Sequence, residues 1–192
     1  MQRIFFLRSG GYLHVRLILT AVNTPCHYRE LAIDQMSHQH KVEEQCLLCL
    51  EVLLHKAYEP SLRQTIAFSM TDARLRTNTL RALLLSIGAP NRTGSTAGVN
   101  GILKEGFQRI EQETNTVRRD AIILQTIVLL HQYRLGNYRI IITYFRTLDW
   151  NYEAHLLQNL LADAEVTLSQ LTELLTAEFT PIAPPVFARS CA

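Results

Sequence analysis

Four long stretches of the chain repeat apolar residues at intervals of three and four, the spacing of helices with one buried face. The first runs from about Tyr28 to Ala57, with Glu43, Leu47, Leu50, Leu54 and Ala57 on one stripe. Pro60 stops it or opens the next helix. The second spans Ser61 to Ile87, where Ile66, Met70, Ala73, Thr77, Leu80, Leu84 and Ile87 line one face, and Gly88 is an end signal. Residues 89–98 read as a loop by composition, and a short amphipathic helix follows from Val99 to about Glu113. The third long helix starts near Thr116 and reaches about Leu148, with Ile123, Ile127, Leu130, Asn137, Ile141 and Tyr144 on its core stripe. Asp149 and Asn151 mark a turn. The fourth covers about Tyr152 to Glu178, where Leu157, Leu161, Ala164, Leu168, Leu171 and Leu175 repeat like heptad core positions. Strand signals are almost absent.

Helices of roughly 27 to 33 residues are about 40 to 50 Å long at 1.5 Å per residue. Short links after the first and third long helices predict antiparallel neighbours, and the longer central link with its small helix predicts a crossover. The expected fold is therefore all-α: a ferritin-like four-helix bundle with a short extra helix in the central crossover. The bundle occupies residues 28–178. Residues 1–27 form an N-terminal extension broken by Gly10-Gly11 and Pro25, for which a strand-like arm, an extra helix and a disordered segment all stay open. Residues 179–192 hold Pro181, Pro184 and Pro185 and are expected to be a loose tail.

Composition narrows the function classes. Hydrophobic residues make up 47% of the 192 residues and charged residues only 19%, below the usual quarter. That balance implies wide buried faces or a surface that meets a partner, and a homodimer is the simplest expectation. A net charge of +2 makes no case for nucleic acid. The arginines gather at Arg74/Arg76/Arg81 and Arg118/Arg119, and both groups read as solvated helix faces. No segment has the apolar length of a membrane span. Met1–Val22 has basic residues ahead of Leu17-Ile18-Leu19, but His14 and Arg16 interrupt the apolar run a signal peptide needs. A cytoplasmic location follows as the default. Of Cys26, Cys46, Cys49 and Cys191, the pair Cys46/Cys49 has CxxC spacing inside an apolar run, without the second half a zinc knuckle requires. These are read as buried free thiols. His55, His131 and His155 lie at unrelated spacing and form no nucleophile–base constellation, His38 and His40 precede Glu43 where a metal site extended to the bundle end would take them in, and residues 94–101 lack the Gly-Lys-Thr ending of a phosphate loop.

The informative residues are polar ones on apolar stripes. Glu43 sits on the stripe of the first helix, Asp72 at the edge of the second and Asp163 beside that of the fourth. Arg134 lies squarely on the third stripe, with His131 one turn before it. An unpaired buried charge costs several kcal/mol, so these residues are expected to satisfy one another. In one reading Glu43, Asp72, His131 and Asp163 ligate iron or manganese. In another, preferred because it needs no cofactor, Arg134 stands at the centre and grips carboxylates with its fork, and in a third some of these residues simply reach solvent at the bundle edge.

Short motifs in a consistent order resemble the YciE/YciF family of bacterial ferritin-like proteins over about residues 42–174. They are Val42-Glu-Glu-Gln45, Glu59-Pro-Ser-Leu-Arg-Gln64, Asn100-Gly-Ile-Leu-Lys-Glu-Gly106, Val117-Arg-Arg-Asp-Ala121, the tyrosines Tyr133 and Tyr138, and Leu171-Thr-Glu-Leu174. The resemblance implies a stress-associated bundle with inward Glu and His side chains in a di-iron-like arrangement. This chain departs from that pattern. Ser69 stands where the family has His, Asp72 where it has Glu, and His131 and Arg134 replace two Glu of the third helix. In the fourth helix only Asp163 is left of a run of three Glu, and Leu168 replaces an Asp. The expectation is a non-catalytic bundle with a salt-bridged centre, no catalytic residue and no cofactor. The alternative is a degenerate di-iron or mononuclear metal protein with oxidase or peroxide-handling activity.

Overall fold

The structure is a computed structural model that describes residues 8–9, 12–13, 24–89 and 96–179. Five helices occupy nearly all of it: α1 Thr24–Lys56, α2 Pro60–Ser86, α3 Ala97–Gln112, α4 Thr116–Thr147 and α5 Asn151–Phe179. A two-residue strand β1, Arg8–Ser9, pairs antiparallel with β2, Tyr12–Leu13. The helix bounds expected from the hydrophobic pattern hold to within two residues, except at the start of α1. There the helix begins at Thr24, inside the segment set apart as an extension. The expected central loop and C-terminal tail fall mostly outside the described residues, as do Cys191, most of the N-terminal extension and the signal-like run.

Helix ends are set by local chemistry. Pro60 opens α2, where its missing N–H costs nothing. At the other end Gly88 takes a φ of 66°, donating to Leu85 O at 3.1 Å, and Ala89 donates to Leu84 O at 3.0 Å. This is a Schellman stop, completed by burial of both Ala89 and Leu84 in one apolar cluster. α4 begins with the Asn115 side chain accepting from Arg118 N at 3.0 Å. It ends in a second Schellman stop, with Asp149 at a φ of 57° and Trp150 N donating to Phe145 O at 2.9 Å. The Trp150 ring then packs edge-on against Phe145, centroids 5.2 Å apart.

α1 packs on α2 and α4 packs on α5, each pair joined by a short turn. α1 also lies along α4, in antiparallel register. Gln35 meets Asn137 and His38 meets Tyr133 near one end, while the turn after α1 meets Asp120 at the other. α3 lies on α4, drawn close because Gly106 has no side chain: a Cβ there would sit 2.5 Å from Thr126 Cγ2. The α1–α2 turn is pinned by Asp120, which is buried and accepts from Tyr58 N at 3.0 Å and Glu59 N at 2.7 Å. The core divides into two apolar clusters. One is built around Leu53, Ile66 and Ile123, and the other around Met36, Leu80, Tyr138 and Leu157. Between them runs a buried polar layer.

Candidate functional site

The layer is made of Ser37, Gln39, His40 and Glu43 on α1, Arg76 and Thr77 on α2, and His131 and Arg134 on α4, all buried. Its hub is Glu43, whose side chain is wholly removed from solvent. Arg134 Nε donates to Glu43 Oε1 at 2.9 Å, Tyr138 Oη donates to the same oxygen at 2.8 Å, and Gln39 Nε2 does so at 3.1 Å. Arg76 Nε reaches Oε2 at 3.5 Å. Helical spacing explains the set. Gln39 is one turn before Glu43 on α1, and Tyr138 is one turn after Arg134 on α4, so each pair shares a face.

Electrostatics follow from this crowding. Burial pushes the Glu43 carboxyl up, but the Arg134 and Arg76 guanidiniums and the Tyr138 hydroxyl outweigh it and hold Glu43 below the usual carboxylate range. Burial works against the Arg134 charge, and Glu43 more than restores it. Arg76 is pushed down by burial and by the like charge of Arg134, with Glu43 opposing. Burial drives the Tyr138 hydroxyl well above its ordinary value, with the Glu43 charge adding to it. His131 is driven well below 6.5 by burial and by the two arginines, so it is neutral at pH 7. Its Nε2 lies 3.5 Å from Arg134 Nη1.

Of the residues singled out from sequence, the structure brings Glu43, Arg134 and His131 together. Asp163 does not join them: it is exposed on α5, because its position beside the stripe faces solvent. Asp72 is only half-buried, one turn before Arg76, whose charge it supports more weakly than Glu43 does. Arg76 is a correction to the reading of its group as a solvated face. Arg74 and Arg81 do lie exposed, ion-pairing with Glu51 and Glu44, but Arg76 turns inward, three residues from Ala73 and four from Leu80. Arg118 is exposed and pairs with Glu113, whereas Arg119 is half-buried. His55 and His155 are exposed. His38 Nε2 lies 3.1 Å from Tyr133 Oη. His40 is buried, with Nδ1 3.8 Å from Glu44. Cys46 and Cys49 are buried free thiols, each pushed up to about 12 by burial. Arg76, Tyr138 and Gln39 are the partners of Glu43 that stripe reading missed. Their signal was present as one-turn spacing from Glu43, Arg134 and the apolar positions of α2.

The polar layer does not fit a pair of metal ions. A metal ligand needs a free lone pair facing the ion, and Glu43 meets four protein donors, two of them permanent cations. The His131 nitrogen nearest the centre faces Arg134 instead. Among the described residues no three His, Cys, Asp or Glu side chains are grouped so as to hold a metal ion. A separate surface cleft, lined by His55, Lys56, Ile110, Glu111, Glu113 and Arg119, carries both signs of charge. No described helix is long and apolar enough to cross a membrane.

The fold is shared with solved bacterial proteins. YciF of E. coli, described as a stress protein, aligns with a TM-score of 0.73 at 18% identity, covering 79% of this chain and 96% of that one. YcfI of Rhodopseudomonas palustris aligns at 0.71 with 16% identity, covering 76% and 92%. A protein of Xanthomonas campestris aligns at 0.62 with 10% identity, covering 79% and 92%. No curated protein matches the chain. A family model described as a domain of unknown function, DUF892, matches residues 27–181. That span takes in every helix but the first turn of α1, and the chain accordingly belongs to the DUF892 family, with the helical bundle of its YciF-type members.

Proposed function

We propose that this chain is a non-catalytic, YciF-type bundle whose centre is closed by an ion pair in place of metal ions, and that it acts through its surface as a cytoplasmic homodimer. The observation that carries the reading is the Arg134 guanidinium bonded to Glu43 at 2.9 Å. By the family resemblance Glu43 is the carboxylate that would face a metal, yet three protein donors crowd its Oε1 and Arg76 faces its Oε2. A guanidinium never gives up its charge in a protein, so it repels a divalent ion at that point. A role in stress responses is supported by the likeness to E. coli YciF. Self-association is supported by the low charge content and by large apolar side chains left exposed on α1 and α2, among them Leu48, Val52, Phe68 and Leu75.

Elemental analysis of protein expressed with added iron and manganese tests the centre. The expected result is no stoichiometric metal, and a melting temperature that a chelator leaves unchanged. Stoichiometric iron or manganese, lost in Glu43→Ala, would refute the ion-pair reading and favour the alternative of a degenerate metal protein. Sedimentation equilibrium tests the assembly, and a monomer at tens of micromolar would remove the dimer from the proposal.

A further inference from the structure

The polar layer carries more positive charge than it answers. Arg134 and Arg76 are both buried against one carboxylate, Glu43. The other acids nearby are occupied or act only weakly on one of the two cations. Glu44 is half-buried and engages Lys41 at 2.8 Å, Arg81 at 3.7 Å and His40 at 3.8 Å. Asp72, partly buried one turn before Arg76, also acts on Arg76 through its charge, but more weakly than Glu43 does. Tyr138 and the neutral His131 add no negative charge. A lone buried cation is costly, and natural cores rarely leave one unanswered.

Hydrogen bonding points the same way. Arg76 Nη2 and Arg134 Nη2 are both buried without a partner. In a planar guanidinium the Nε–H and the adjacent Nη2–H bonds run parallel, which is how the fork grips an anion. Arg134 Nε points at Glu43 Oε1 and Arg76 Nε at Oε2, so each unpartnered Nη2, bonded to the same guanidinium carbon, lies on the Glu43 side of its own group. The side chains are 4% exposed for Arg76 and 1% for Arg134, so bulk water does not satisfy them.

We propose that the layer binds one small monovalent anion, of which chloride is the abundant example, beside Glu43 and between the Nη2 edges of Arg76 and Arg134. The anion brings the two guanidiniums to charge balance and supplies the acceptors they lack. A divalent anion would overshoot the balance, and a buried water would satisfy donors without offsetting charge. The inference rests on the ion-pair reading of the same layer, and it adds to that reading a ligand and a dependence on solution anions.

The test is a thermal melt of the full chain in sodium chloride against sodium gluconate at matched ionic strength, paired with anomalous diffraction from crystals soaked in sodium bromide. The expected result is a melting temperature that rises with chloride and saturates, together with a bromide peak between Arg76 and Arg134. The dependence should vanish in Arg76→Met, which leaves Glu43 and Arg134 as a balanced pair. Equal melting in chloride and gluconate, with no bromide peak, overturns the anion. A bromide peak without any chloride dependence in solution also overturns it, as binding at soaking concentration only. If Arg76→Met fails to fold, the wild-type melts and the bromide map still decide. A metal-free protein that ignores chloride sinks this inference alone, whereas stoichiometric iron or manganese sinks the ion-pair reading beneath it.

Discussion

Replacing Glu43 by Gln keeps the volume of the side chain and removes its charge. The substitution therefore isolates the electrostatics of the polar layer from cavity formation. In the native layer Glu43 answers Arg134 at 2.9 Å and Arg76 at 3.5 Å, and all three are buried. Without the carboxylate, two buried guanidiniums are left with only the partly buried Asp72 acting on one of them, Arg76. Breaking a buried pair from one side costs about 3–5 kcal/mol, a large share of the roughly 5–15 kcal/mol that holds a domain together. For a chain of this size each kcal/mol moves the melting temperature by about 2–4 °C, so Glu43→Gln should melt about 6–20 °C lower. Arg134→Met should cost about 2–3 kcal/mol, since Arg76, Tyr138 and Gln39 still hold Glu43. Arg76→Met in low chloride should cost no more than about 1 kcal/mol, because it removes the surplus cation along with its longer bond. The sharpest expectation is a sign change. Added to Glu43→Gln, Arg76→Met should restore stability, because the cation it deletes is then unanswered. Urea unfolding followed by helical circular dichroism at pH 7 reads all four proteins. A Glu43→Gln protein within 1 kcal/mol of the parent would refute the reasoning, as would a double variant less stable than Glu43→Gln alone.

Stability should also fall as pH drops from 7 toward 5. His131 and His40 are both held below 6.5 in the folded chain, chiefly by burial. The unfolded state therefore binds more protons, and stability present above about 6.5 is lost below it, by up to about 1.4 kcal/mol per pH unit for each histidine. Glu43, held low, adds its own loss only below its unfolded value of 4.5. Chemical denaturation across this range, repeated on His131→Gln, should show a shallower slope in the variant; identical slopes would remove His131 from the account. Gly106→Ala should destabilise by about 1–3 kcal/mol although Ala is the better helix former by about 1 kcal/mol, because the new Cβ meets Thr126 on α4. A stabilised Gly106→Ala would show that α3 does not pack this closely. Asp120→Ala should cost about 1.5–3 kcal/mol by leaving Tyr58 N and Glu59 N without their charged acceptor, and amide exchange at those two residues should quicken.

Helix number, helix bounds and the ferritin-like order of elements were legible in the chain because they rest on local rules. Periodicity chose the buried faces, Gly88 and Pro60 marked ends, and the one long link predicted the crossover. The resemblance to the YciE/YciF family was legible too, through short motifs in a fixed order. At the centre, Glu43 and Arg134 stood out because a charge in the middle of an apolar stripe conflicts with the pattern. Periodicity could not rank residues at the edge of a stripe, where a few degrees of helix rotation separate core from solvent. Asp72, Asp163 and Arg76 all sit at such edges, and they went three ways: half-buried, exposed and buried. Nor could it show that Gln39 and Tyr138 converge on the same carboxylate, since that depends on the register of α1 against α4. The sequence by itself determined that the chain is a helical bundle with a buried carboxylate and a buried cation. Only the tertiary structure decided that two cations share that one carboxylate, because charge balance belongs to the space between helices and to no single helix.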